Sequence, residues 1–176
     1  DQPFDTNQGS KLELGTPAKL RVLTTYLEVI AELHQRHALL DRQALRQVKA
    51  EDPLSRWALD YLARNEDRSL TAMLDAAMER RYSASPAERF FTGAGMHRFS
   101  NFRHQDDHRL PTLREALRES INLPFVRLLR DLVSYSSHQL SDRAALLGDD
   151  DNPERLEYLA RFADREGVVF LQRFWQ

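Results

Sequence analysis

Residues 112–130 read TLREALRESINLPFVRLLR. The stretch predicts a helix, a short break and a second helix. Thr112 and Glu115 have capping-box spacing, in which a hydroxyl and a carboxylate three residues apart satisfy each other's backbone amides. Leu113, Ala116 and Leu117 form one apolar face. Pro124 suits a first helical position, because the amide proton it lacks would have no partner there. Phe125, Leu128, Leu129 and Leu132 continue the second helix at helical spacing. Between the two lie Ser120, Ile121 and Asn122. A Ser and an Asn two residues apart in a tight break can aim two polar side chains into one cleft. The plainer alternative is a helical corner whose Ser and Asn cap backbone groups.

The run REALRESINLPFVRL resembles the segment around the Ser-x-Asn motif in the transpeptidase domain of penicillin-binding proteins, especially the bifunctional kind. Ser-x-Asn alone is a weak signal; its placement between this helix and L-P-F-V-R-L is more specific. In that family the serine relays protons and the asparagine holds the substrate amide. The resemblance gives those roles to Ser120 and Asn122.

Working outward, residues 16–37 predict a long helix with Thr16 as N-cap and Pro17 as first helical residue. Residues 1–15 look extended, with Leu12 and Leu14 alternating as a short strand that Gly15 ends. In the helix, Arg21, Thr24, Thr25, Glu28, Glu32, Gln35 and Arg36 share a polar sector. Leu20, Val22, Leu23, Tyr26, Leu27, Val29, Ile30 and Leu33 cover the rest, an arc wide enough for a central helix. Lys19 falls inside that apolar arc, with Thr16 three residues earlier on the same face. Burying an ammonium is costly and lowers its pKa, which favours use as a base. A hydroxyl one turn before such a lysine has the geometry of a nucleophile and its base. The plainer alternative is that Thr16 only caps and Lys19 extends its charged end to water.

LELGTPAKLRVLTTYLE is similar to the Ser-x-x-Lys segment of the same transpeptidase family, in the right order before Ser120 and Asn122. Thr16 stands where the acylated serine is expected, and Lys19 matches the lysine that deprotonates it. Threonine is a departure: its secondary hydroxyl is hindered and stiff at the first torsion. The family's third motif, Lys-Thr-Gly or Lys-Ser-Gly on a strand, does not occur; the three lysines are Lys11, Lys19 and Lys49.

Residues 38–82 look like a helical insertion between the two motif segments, with starts at Asp41, at Asp52-Pro53 and at Ser69. Ser85 and Glu88 predict another capping box on a short helix. Residues 92–97, TGAGMH, break the helical pattern. His97, His104, Asp106, Asp107 and His108 read as a solvated loop rather than a metal site. His34 continues the core stripe and reads as a packed histidine. Ser136, Ser137 and Ser141 lead toward an acidic loop at residues 149–151, and a last helix starts at Asn152-Pro153 and ends near Gly167.

The chain has 176 residues, enough for a core that buries roughly 70% of the unfolded surface. The net charge is -2 with both signs interspersed, which argues against a nucleic-acid partner. Without cysteine there is no disulfide or thiol chemistry. No apolar run is long enough to span a bilayer. A start at Asp1 and an apolar end at residues 168–176 suggest a fragment of a longer protein.

The expected fold is mainly α, one domain over residues 1–176, with one short strand near the start. The resemblance implies the helical part of a penicillin-binding-protein/β-lactamase-like transpeptidase domain. Its parent would be anchored in the bacterial inner membrane, face the periplasm and build peptidoglycan, with an upstream glycosyltransferase domain as a further expectation. Thr16, Lys19 and Ser120 are then the catalytic residues and Asn122 the substrate-binding one, with neither metal nor cofactor. The ligands are D-alanyl-D-alanine stem peptides and β-lactams. Two other readings stand beside it: a degenerate transpeptidase-like binding or scaffold module, and an unrelated helical interaction domain.

Overall fold

The computed structural model describes residues 6–92 and 95–148, with side chains from Gly15 onward for most of them. The chain is mainly α. The α-helices among the described residues are α1 (Thr6–His37), α2 (Arg42–Gln47), α3 (Pro53–Arg64), α4 (Leu70–Met78), α5 (Leu113–Arg118) and α6 (Leu123–Gly148). An antiparallel hairpin of β1 (Phe90–Thr92) and β2 (Gly95–His97) lies between α4 and α5, with Phe90 opposite His97. The described residues group into two compact units, divided after Tyr135, so that α6 ends in the second. In that second unit Ser141 turns its hydroxyl back to the Ser137 carbonyl at 3.1 Å. Helix thus continues where the serines suggested the approach to a loop. The acidic run 149–151 and the helix expected at Asn152 lie outside the described residues.

The N-terminal expectation is corrected. Residues 11–14 are helix rather than strand, and α1 runs unbroken through Gly15, Thr16 and Pro17. Thr16 is therefore a mid-helix residue, not an N-cap. Interior Gly and Pro cost about 1 and about 3 kcal/mol relative to Ala, which weakens a helix without forbidding it. Pro17 also leaves the carbonyl four residues earlier without its amide partner. Among the described residues strands form instead at 90–92 and 95–97, at and just before the stretch 92–97 that breaks the helical pattern.

The first unit is built around α1. Tyr26, Ile30 and Leu33 are fully buried, packed in one cluster with Leu54 and Leu62 of α3, Met73 of α4, Leu113 of α5 and Leu128 of α6. The three helix starts in residues 38–82 fall where the sequence put them. Asp41 accepts from the Ala44 amide, Asp52 from those of Leu54 and Ser55, and Ser69 from that of Ala72. Such caps contribute about 1 kcal/mol each. His34 is a packed histidine, its Nε2 2.8 Å from the Arg68 carbonyl oxygen.

Residues 80–84 run antiparallel to 109–113. The Tyr82 amide donates to the Pro111 carbonyl, the Ala84 amide to that of Arg109 and the Leu113 amide to that of Arg80. A buried polar group ties this ribbon to α6: Tyr82 Oη donates to Asp131 Oδ2 at 2.7 Å, with the Arg80 guanidinium 3.7 Å from the same oxygen. Arg80 is enclosed by the rings of Tyr26, Trp57 and Tyr82, so its charge sits against aromatic faces. Ser85 starts a turn, not a helix. Its hydroxyl accepts from the Ala87 amide, while Glu88 pairs with Arg127 and Arg130 of α6 instead of capping.

Candidate active site

Lys19 and Ser120 meet. Lys19 Nζ donates to the Ser120 hydroxyl and to the Ser120 carbonyl oxygen, each at 2.8 Å. Lys19 is 9% exposed, so its stem is buried and its ammonium sits part-buried against the exposed Ser120. Burial holds its ammonium below the ordinary lysine pKa. Among the described residues no carboxylate pairs with it. An amine in this state is a better base near neutrality than a solvated lysine. With the proton on nitrogen, Nζ donates to Oγ. With nitrogen neutral, the hydroxyl can donate back, so the pair can relay a proton.

The corner that presents Ser120 has a specific build. The Thr112 hydroxyl accepts from the Glu115 amide at 3.1 Å, and the Glu115 carboxylate accepts from the Thr112 amide at 2.8 Å, so α5 starts with the expected capping box. Its other end closes as a Schellman motif: the Ile121 amide bonds to the Ala116 carbonyl and the Ser120 amide to that of Leu117. Such a motif calls for a left-handed residue, usually glycine. Here it is Ser120, at φ 60°, the one non-glycine positive φ among the described residues. The left-handed form costs an L-residue roughly 1–2 kcal/mol. Glycine would fit without that strain but would carry no hydroxyl. Ile121, next in the motif, is 1% exposed and anchors the corner in the core.

Asn122 is half-buried at the start of α6, its carbonyl accepting from the Phe125 and Val126 amides. Helix α6 begins at Leu123, one residue before the expected Pro124. Thr16 is exposed. In mid-helix its hydroxyl is not an N-cap. What remains is its place one turn from Lys19, a separation of about 5–6 Å between β-carbons.

The segment read as a solvated loop contributes to this corner. Asn101 is 5% exposed; its Nδ2 donates to the Ala84 carbonyl (2.7 Å) and to Asp107 (2.8 Å), and its Oδ1 accepts from the Leu123 amide at 3.1 Å. Arg103 donates to the Glu119 carbonyl, and Arg109 bonds both the Glu119 and the buried Asp106 carboxylates. Arg109 holds the Glu119 carboxyl down to about 2. Nothing in the run NFRHQDDHR distinguishes these residues from an ordinary charged loop, so their part could be seen only in three dimensions.

A cleft of about 390 Å³ lies elsewhere, between α2 and α3, over Leu45, Val48 and Leu59 and edged by Arg46, Arg56 and Arg64. It shares no residue with the Lys19–Ser120 pair. Comparisons with protein-family models, with curated proteins and with solved structures find no match.

Proposed function

We propose that this chain is the mainly helical part of a penicillin-binding-protein transpeptidase domain, from a parent that cross-links peptidoglycan stem peptides at the periplasmic side of the bacterial inner membrane. The observation that carries this reading is the Lys19 ammonium on the Ser120 hydroxyl, 101 residues apart in sequence. The two residues come from two segments that separately resemble the family's first and second motifs. In this reading Lys19 takes the proton from the hydroxyl at position 16, and the freed oxygen attacks the penultimate D-alanine carbonyl or a β-lactam carbonyl. Ser120 passes the proton on to the leaving amine, and Asn122 holds the substrate amide. The acyl group then moves to an acceptor amine. The carboxylate-binding Lys-Thr-Gly strand is no part of these 176 residues, so this chain by itself is inactive in the proposal.

The second reading, a degenerate module that binds stem peptides without reacting, is favoured by Thr16, whose hydroxyl is more crowded than serine's. A longer reading frame that carries this chain and a downstream Lys-Thr-Gly, incubated with fluorescent penicillin, separates the two. Covalent labelling that is lost in Lys19→Met supports the enzyme. Absence of label in both the native chain and Thr16→Ser sinks it. Stem-peptide binding in that unlabelled protein supports the module.

A further inference from the structure

The break that carries Ser120 is four residues long, 119–122, and one loop grips it at both ends. On the near side stands Glu119, whose carbonyl accepts from Arg103 and whose carboxylate is held by Arg109. On the far side stands Leu123, whose amide donates to Asn101 Oδ1 at 3.1 Å. All three gripping residues lie within residues 101–109. The loop is itself fastened: Asn101 reaches the Ala84 carbonyl, and Asp106, 3% exposed, receives both Arg103 and Arg109. The Ser120 backbone between these two holds is left-handed and costly. A strained residue persists only where its surroundings over-determine it.

We propose that Asn101, aided by Arg109, is a positioning residue: through Leu123 and Glu119 it keeps the Ser120 corner in the one conformation that places the hydroxyl and carbonyl of Ser120 on Lys19. The proposal deepens the transpeptidase reading and rests on it for the catalytic meaning of the pair. The hold itself is a property of this chain.

The alternative resting conformation is evident from the chemistry. If Ser120 relaxed to negative φ, the Ile121 amide would leave the Ala116 carbonyl, because that torsion directs the chain that follows it. The Lys19 ammonium would lose both oxygens at once, since one residue supplies them. An ammonium without its acceptors would move toward water rather than remain buried. The state of Lys19 therefore reports on the corner. Asn101 touches neither Lys19 nor Ser120 in this network, so any effect it has on them passes through the backbone of the break.

The chain has three lysines, so the ε-methylene signals of a lysine-labelled sample can be assigned by single substitutions. The experiment follows Lys19 through a high-pH titration in the native chain, in Asn101→Ala, in Arg109→Gln and in a control, Leu62→Ala. The control cuts the same buried core from α3, at a residue outside the loop and outside its hydrogen bonds. The Lys19 midpoint should rise toward that of the urea-unfolded chain in Asn101→Ala, and by less in Arg109→Gln. It should stay in place in Leu62→Ala despite that variant's lower stability. A Lys19 midpoint unchanged in both loop variants overturns the proposal, as does an equal rise in the control. If Asn101→Ala does not fold, Arg109→Gln, whose side chain is partly exposed, carries the test by itself. Failure of the transpeptidase reading looks different: Lys19 would respond as described while the longer chain takes up no penicillin.

Discussion

Lys19 Nζ lies 2.8 Å from both oxygens of Ser120, and this pairing joins the central helix to the corner between α5 and α6. It sets two opposing terms against each other. Burying the ammonium costs free energy, while its two hydrogen bonds to Ser120 offset that cost. Lys19→Met keeps the buried stem and removes both terms. The expected change in unfolding free energy is within about 1 kcal/mol of zero, since Ser120 is exposed and water can satisfy its oxygens. Urea denaturation measures it. A loss of several kcal/mol would instead mark Lys19 as a structural lysine.

The same lysine gives the chain an alkaline signature. Its folded pKa lies below the ordinary value, so between the two the unfolded chain holds more protons. Stability from this group therefore rises with pH across that window, and levels off above about 10.4, where the unfolded lysine has also lost its proton. Denaturation midpoints taken from pH 8 upward should show this rise relative to Lys19→Met. Parallel curves for the two proteins would contradict the burial of the charge.

How much of this could be read in advance depends on the kind of signal. The capping box of Thr112 and Glu115 and the starts at Asp41, Asp52 and Ser69 are local hydrogen bonds between residues two or three apart, so sequence shows them directly. The meeting of Lys19 with Ser120 is expected because each lies on an apolar face at a helix end and their two segments resemble successive motifs of one family; a serine in an interhelical break does not by itself name a partner 101 residues away. The start of α1 is hidden because Gly15 and Thr16-Pro17 are strong local stop and start signals, yet the helix continues through them. The role of Glu88 is hidden for the opposite reason: its partners, Arg127 and Arg130, are about 40 residues away. The hold of Asn101 on Leu123 is long-range in the same sense and leaves no trace in composition or spacing.

Ser120 invites a comparison of two substitutions. Ser120→Gly and Ser120→Ala both remove the hydroxyl, but only alanine retains the steric cost of φ 60°. The glycine variant should be more stable than the alanine variant by roughly 1–2 kcal/mol. Thermal melts of the pair measure the difference directly. Equal stability would mean that the corner relaxes once the hydroxyl is gone, so that its conformation depends on the bond to Lys19.

At the acid end the sensitive group is Glu119. Its carboxyl is held down to about 2 by Arg109, so its contribution is complete above the ordinary carboxylate range near 4.3. As pH falls from there to about 2, the unfolded chain takes up this proton first and the contribution is lost. The amide signals of Ser120 and Ile121 should stay native through pH 4 and shift below it. In Glu119→Gln that acid-dependent shift should vanish. A shift that persists there would belong to another carboxylate, with Asp107 the first to examine because Asn101 and His104 hold its pKa low.

Gly15 tests the corrected course of α1. An added β-carbon there meets nothing within 4 Å, so no contact requires glycine. If the helix runs through this position, Gly15→Ala should stabilise it by about 0.5–1 kcal/mol, because the unfolded chain loses freedom and the helix loses a poor former. Helical circular dichroism should hold or rise, and the melting temperature should increase. Destabilisation would mean that the chain turns at Gly15, returning Thr16 to a helix start.

The last expectation concerns covalent chemistry. Incubated with excess benzylpenicillin, the 176-residue chain should form no stable acyl adduct, although Lys19 and Ser120 are already together. Thr16 is solvent-exposed, so access is not the obstacle. Its methyl group crowds the attacking oxygen and fixes the first side-chain torsion, which narrows the approach to a carbonyl. No Lys-Thr-Gly or Lys-Ser-Gly occurs in the sequence to hold the ligand's carboxylate, and a misplacement of about 1 Å can cost about 10²-fold. An oxyanion donor contributed by such a strand would be worth a further 10²–10³, roughly. These losses multiply, and Thr16→Ser relieves only the first. Intact-mass spectrometry over several hours should therefore find both the native chain and Thr16→Ser unmodified. An adduct mapped to the peptide around residue 16 would show that α1 and the Ser120 corner suffice for acylation. An adduct on Ser120 would move the nucleophile to the corner itself and leave Lys19 as its base.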